Sequence, residues 1–170
     1  LASKADPNLV LTGFMGTGKT TVGKLLAEQW QRTFADTDQI IQQQMQLTIP
    51  EIFEQYGEPF FRKREAEICV DLAAQVGLVI ATGGGALLNR DTVAAMTATG
   101  MVICLTASEQ AIAARLQGET AARPLANGWR DLLQQRQPYY AALPYHLDTT
   151  DKPPQQITQE VSALWHSVFE

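Results

Sequence analysis

The sequence predicts an α/β fold, a five-stranded parallel sheet with helices on both faces, and three observations predict it. Five short runs read as strands: NLVLT (8–12), RTFAD (32–36), LVIAT (78–82), MVICL (101–105) and YHLDT (145–149). Three of them are apolar without alternation, as strands covered on both faces must be. The segments between carry helical spacing: Val22, Leu25, Leu26 and Trp30 make one apolar stripe, and Ile157, Val161, Leu164, Trp165 and Val168 another, at steps of three and four. Strand and helix alternate along the chain, and strands joined by crossover helices lie parallel.

With 170 residues, 45% apolar and 18% charged, the chain is expected to fold as one domain, 1–170, around a substantial core. Its net charge is −5 and no stretch is dense in Lys or Arg, which argues against a nucleic-acid partner, so cations that meet an anionic ligand must be placed locally. No run approaches about 18 consecutive apolar residues. The opening LASKADPNLVL lacks a secretory pattern, so no membrane association and a cytoplasmic location are expected. Cys69 and Cys104 lie in apolar surroundings without metal-ligand spacing and read as free buried thiols.

The first strand runs into Gly13 to Thr20, a complete G-x-x-x-x-G-K-T pattern set between an apolar strand and an amphipathic helix, the context the pattern needs. Its glycines let consecutive N–H groups turn inward as an anion nest at a helix N-terminus, so the ligand is a polyphosphate. Lys19 would reach the β- and γ-phosphates, and the Thr20 hydroxyl would ligate a Mg²⁺ bridging them. A P-loop alone names no reaction. No guanine-reading N-K-x-D segment and no ABC-type pattern is present, and the chain is short for a motor core, which puts small-molecule kinases in front.

The second strand closes on ADTD (35–38), where residues two apart project to one side, so Asp36 and Asp38 both aim at the mouth of the sheet. Asp36 can hold the Mg²⁺, and Asp38 can orient a substrate hydroxyl or take its proton. Alternatively Thr37 or Asp38 simply caps the helix that follows. Residues 37–76 hold two or three helices where one would suffice, enough for a wall of a cleft, with Thr48 and Pro50 of TIPE marking a helix start. In FFRKREAE (60–67), Phe61, Glu65, Ile68 and Leu72 share a helical face, which puts a carboxylate on an apolar stripe one turn from Arg62. The two either present an oriented guanidinium fork to a carboxylate or form an ordinary surface i,i+3 pair.

ATGGG (81–85) ends the third strand with Thr82 where many P-loop proteins place an acid, leaving Asp36 as the metal-binding carboxylate. Gly83, Gly84 and Gly85 bare consecutive main-chain N–H groups to a ligand; the alternative is a flexible turn, which needs one glycine and not three. QGETAARPLANG (117–128) reads as a loop able to act as a lid, its Arg123 suited to stabilising charge on a transferred phosphoryl group, and Arg136 follows in QQRQPYY (134–140).

Taken in order, GFMGTGKTT, ADTD, FFRKREAE, IATGGG, RPL and RQPYY resemble the shikimate kinase family over about residues 8–165. The resemblance implies a P-loop kinase of the nucleoside-monophosphate-kinase type, strand order 2-3-1-4-5, with a helical substrate-binding region (about 37–76) and a lid (about 117–128). It implies ATP-dependent phosphorylation of the 3-hydroxyl of shikimate on the way to chorismate, with ATP and Mg²⁺ as cofactors and a monomer as the acting form. By position it implies a nucleotide cradle of Gly13, Gly16, Thr17, Gly18, Lys19, Thr20 and Thr21, with Thr20 and Asp36 at the metal. Lys19, Asp38 and Arg123 would be catalytic, and Asp38, Arg62, Glu65, Gly83, Gly84, Gly85 and Arg136 would hold shikimate. Arg115, Lys152 and Pro153 fall on the adenine side. The stretch RPLANGWRDLLQQR is more compact than in the family, which implies a shorter lid; AALPYHLDT is about one residue short and lacks the acidic residue often found after RQPYY in the family, a change expected to affect only packing. A gluconate kinase or other small-metabolite kinase of the same fold, and a nucleotide-binding module without catalysis, stand as alternatives.

Overall fold

The computed structural model describes residues 6–117 and 128–169. Along the chain run β1 (Asn8–Gly13), α1 (Lys19–Trp30), β2 (Thr33–Asp36), α2 (Thr37–Met45), α3 (Ile49–Tyr56), α4 (Glu58–Ala73), β3 (Leu78–Ala81), a 3₁₀ turn (Ala86–Leu88) and α5 (Arg90–Thr99). They continue through β4 (Gly100–Thr106), α6 (Glu109–Gln117), α7 (Trp129–Ala141), β5 (Tyr145–Asp148) and α8 (Pro154–Phe169). The strands form one parallel sheet in the order β2-β3-β1-β4-β5. Burial explains the order: β1, β3 and most of β4 are covered on both faces and take the centre, while the half-exposed β2 and β5 take the edges.

Alternate residues of the central strands feed two separate cores. Val10, Ile80, Val102 and Cys104 face the helices α2 to α7, whereas Leu9, Leu11, Val79, Met101 and Ile103 face α1 and α8. The register sets Leu11 beside both Ala81 and Ile103, and Asp36 beside Ala81, so the loops leaving β1, β2 and β3 emerge along one edge of the sheet. That edge carries the cleft, as open α/β sheets dictate.

The helical excursion after β2 contains three helices. Thr48 caps α3, its side chain accepting from Glu51 N–H while the Glu51 carboxylate returns to Thr48 N–H, and Pro50 sits in the first turn. Two stripes differ from expectation. On α1 the buried face is Val22, Gly23, Leu26 and Ala27, with Leu25 and Trp30 only half-covered; Gly23 lies so close to the Phe34 ring that a Cβ there would stand 2.6 Å from it. On α8 the buried stripe ends at Trp165, which packs on Trp30 at 5.1 Å, and Val168 is exposed. Cys69 and Cys104 are free and buried, and burial pushes their thiols up to about 12 and about 11. Among the described residues no helix is long and apolar enough to cross a membrane.

Candidate active site

The loop between β1 and α1 is built for an anion. Gly16 (φ 78°) and Gly18 (φ 93°) take left-handed backbone that side chains rarely adopt. Gly18 is the N-cap of α1 and no side chain caps that end, so the first-turn N–H groups lie ready for phosphate oxygens. Thr17 turns inward and donates to the Phe14 carbonyl at 2.7 Å. Lys19 Nζ folds across the loop, donating to the Gly13 and Phe14 carbonyls at 2.8 Å each.

Asp36 does two things at once. Its Oδ1 accepts the N–H groups of Asp38 (3.0 Å) and Gln39 (3.2 Å), while its Oδ2 accepts from the Thr20 hydroxyl at 2.9 Å. The cap of α2 is therefore Asp36 itself, not Thr37 or Asp38, since only a residue still in extended backbone can fold its carboxylate back onto those N–H groups. With the cap supplied from one residue earlier, the Asp38 side chain is turned to the cleft. Two hard oxygens from Thr20 and Asp36 beside the anion nest fit a hard cation such as Mg²⁺.

Four charged side chains converge on the triglycine turn after β3. A Cβ placed on Gly83 would stand 2.5 Å from Glu65 Oε2 and 2.7 Å from Asp38 Oδ1. One on Gly84 would stand 3.0 Å from Arg136 Nη1, and one on Gly85 would stand 2.5 Å from Arg62 Nη1. A side chain on Gly83 or Gly85 would displace these charged ends, and one on Gly84 would press on Arg136. Thr82, in the place of an acid, is buried and bonded to the Thr12 hydroxyl at 3.0 Å.

Arg62 and Glu65 are not a surface pair: Glu65 is 2% exposed, and Arg62 Nη1 donates to its Oε1 at 2.7 Å. Burial alone would lower the Arg62 pKa, but Glu65 and then Glu58, at 3.3 Å, together raise it. Burial pushes the Glu65 carboxyl up to about 7, with Arg62 drawing it down, Asp38 pushing it further up and Arg136 drawing it down. Its Oε2 has no hydrogen-bond partner among the described residues. Because folded Glu65 holds its proton more tightly than the unfolded carboxyl, with its ordinary value of 4.5, this group's contribution to stability is full below that value and is lost as pH rises toward about 7. Thermal melts between about pH 4 and 8 should show Tm falling across that window, and Glu65→Gln should flatten the fall. A variant with the same slope as the parent would place the titration elsewhere.

Arg136 is 5% exposed, with its guanidinium 6.0 Å from the Phe14 ring and its Nε without a partner among the described residues. At the opposite end, Arg115 donates from Nη1 to Gly16 O (2.9 Å) and Thr149 Oγ1 (3.0 Å), and from Nη2 to Thr149 O (2.8 Å), tying the P-loop to the turn after β5. Lys152 pairs with Glu160 at 2.7 Å. These elements enclose a cleft of about 860 Å³ that runs from Arg115 and Lys152 past Lys19, Asp36 and Asp38 to Arg62, Glu65 and Arg136.

Two positions depart from expectation. Pro153 does not line the cleft, whose wall there is Lys152, Pro154 and Ile157, and neither does Gly13, which closes instead against the backbone of Leu105 in β4. Arg123 and residues 118–127 of the lid segment lie outside the described residues. Sequence reading missed three residues that hold the site: Thr37, whose hydroxyl accepts Gly83 N–H, Tyr140, whose hydroxyl donates to Gly84 O, and Thr149. The first two stand inside quoted motifs, ADTD and RQPYY, and the extra hydroxyl in each was the available signal.

Comparison with known proteins agrees with this geometry. A family model described as shikimate kinase matches residues 15–165. A shikimate kinase of Thermoanaerobacter pseudethanolicus is 39% identical over 160 residues, covering 91% of this chain and 93% of the relative. A shikimate kinase of Acinetobacter baumannii, solved in complex with shikimate, superposes with a TM-score of 0.90 at 35% identity, covering 98% of this chain and 96% of that one. A gluconokinase of Sinorhizobium meliloti superposes with a TM-score of 0.58 at 18% identity, a likeness of fold alone. With a match that runs from the P-loop to the last helix, on top of a glycine-rich anion nest that shares one cleft with Arg62 and Arg136, the chain belongs to the shikimate kinase family.

Proposed function

We propose that this chain transfers the terminal phosphoryl group of ATP to the 3-hydroxyl of shikimate, releasing ADP and shikimate 3-phosphate. One observation carries the reading: a single cleft joins a phosphate nest to a triglycine turn ringed by Arg62, Arg136, Asp38 and Glu65. A ring acid bearing hydroxyls complements that end, with its carboxylate on the two guanidinium groups and its hydroxyls on Asp38 and the bare main chain.

In this reading Arg62, held in place by Glu65, and Arg136 fix the carboxylate and so the orientation of the ring. Asp38 accepts a hydrogen bond from the reacting hydroxyl and takes its proton as the new P–O bond forms. Lys19 leaves the Gly13 and Phe14 carbonyls for the phosphate oxygens, and with the α1 N–H groups it spreads the charge of the transferred group. Thr20 and Asp36 would hold Mg²⁺, which when bound neutralises charge across the β- and γ-phosphates. Arg123 is assigned the remaining charge on the phosphoryl oxygens. Arg115 is assigned to the adenine side, its guanidinium fixed by Thr149. The proposal covers one kinase domain acting as a monomer, and a cytoplasmic location, consistent with two free thiols.

A coupled ADP-release assay with shikimate, quinate, gluconate and nucleoside monophosphates tests it. Shikimate is expected to be the one efficient acceptor. Preference for gluconate would replace the substrate assignment, and nucleotide binding without turnover of any acceptor would replace catalysis by a binding role.

A further inference from the structure

The hydrogen-bond ledger of the triglycine turn is nearly closed. Thr82 N–H donates to Leu11 O at 3.0 Å, Gly83 O accepts Ala86 N–H at 3.1 Å, and Gly85 O accepts Leu88 N–H at 3.3 Å. Gly83 N–H donates to the Thr37 hydroxyl at 2.9 Å, and Gly84 O accepts from the Tyr140 hydroxyl at 2.6 Å. Among the described residues, the N–H groups of Gly84 and Gly85 donate to no protein acceptor. Backbone donors in a cleft are rarely left over without a use, and here two in succession remain.

We infer that Thr37 and Tyr140 are positioning residues that pin the turn from opposite sides, fixing both glycine peptides so that the Gly84 and Gly85 N–H groups face the acceptor substrate. The inference rests on the functional reading above and deepens it. Thr37 is fully buried at the first residue of α2, next to Asp38, so its bond to Gly83 locks the turn to the helix that carries the proposed base. Tyr140 is 4% exposed and lies one helical turn beyond Arg136 on α7, so its bond to Gly84 locks the turn to the helix that carries a carboxylate-binding arginine. Glycine has no side chain to resist rotation of its peptides, and three in a row would sample many orientations without such anchors. The Tyr140 hydroxyl stays a donor, since burial pushes its pKa up to about 12, with Arg136 drawing it back. The anchors lie 46 and 56 residues away from the glycines they hold, which makes the turn a joint between α2, β3 and α7.

Steady-state kinetics on Thr37→Val, Thr37→Ser and Tyr140→Phe test this. Each loss of an anchor is expected to raise the shikimate KM about tenfold while leaving the ATP KM within about twofold, and Thr37→Ser, which keeps the hydroxyl, should restore the parent value. Tyr140→Phe removes one oxygen without changing packing and carries the test alone should Thr37→Val fail to fold. Wild-type turnover of shikimate is measured first, because its absence would strike the functional reading and not this one. Given that turnover, a Tyr140→Phe enzyme with an unchanged shikimate KM, or with both KM values raised equally, would overturn the assignment.

Discussion

A Lys19→Met enzyme is expected to lose about three orders of magnitude in kcat while its affinity for shikimate stays near the parent value. Lys19 is the first residue of α1, and its ammonium spans the loop to the Gly13 and Phe14 carbonyls, 2.8 Å from each. It stands over the same nest that the uncapped helix end creates, so a terminal phosphate drawn into the nest comes within its reach. Charge grows on the phosphoryl oxygens as transfer proceeds, and one preorganised donor to such charge is worth about 10²–10³ in rate; a full cation acting on a trianionic group sits at the upper end. Met preserves the length of the stem and removes only the charge and its donors. The Arg62–Glu65 pair and the Tyr140–Gly84 bond that shape the proposed shikimate end are made without Lys19, which is why binding there should be spared. Single-turnover kinetics with a separate shikimate titration would check it, and a kcat within about tenfold of the parent would remove Lys19 from the chemistry.

How far the chain could be read depended on the sequence distance between partners. The P-loop is local: the glycines, Lys19 and Thr20 that make the nest lie within eight residues, Gly13 to Thr20, and the flanking strand and helix are written beside them. Asp36 and Asp38 followed from the period of an extended strand, and the buried Glu65 from the period of a helix, both of which are local repeats. The three apolar strands predicted as doubly covered are the central ones. What remained hidden was set by tertiary contact. The choice of Asp36 as cap turned on one residue's backbone angle, φ −115° and ψ 118°, at the strand end. That Gly23 joins the buried face of α1 while Leu25 is only half-covered goes with the Phe34 ring of β2 packed over Gly23. Thr149 holds Arg115 across 34 residues, and the two hydroxyls that anchor the triglycine turn reach across 46 and 56. No repeat encodes such pairings. The motifs place functional groups on elements, whereas the sheet order and the helix rotations decide which second residue holds each one still.

Arg136→Met is expected to split function from stability: kcat/KM for shikimate should fall by more than about 100-fold while Tm rises by about 2–4 °C. The fall follows from geometry. Arg136 is 5% exposed, its Nη1 packs on Gly84, and with Arg62 it supplies the cations at that end of the cleft, so a substrate carboxylate without it would enter a buried site half-neutralised. The rise follows from the same burial. A guanidinium with an unpartnered Nε has surrendered its hydration without full return, and an apolar side chain of similar length against Phe14 avoids a cost of about 1 kcal/mol, the low end for such replacements. Of the two carboxylates at that turn, Asp38 is only half-buried, and burial holds Glu65 near a pKa of about 7, so below neutrality Glu65 is largely protonated and does not cancel the gain. Melts at about pH 6 are therefore the decisive condition, with Arg136→Lys as the control: it keeps the charge but not the fork, and should regain only part of the activity and none of the stability. A Met variant less stable than the parent would mean that Arg136 holds the folded cleft together rather than standing ready, at some expense to the fold, for the substrate carboxylate proposed for it.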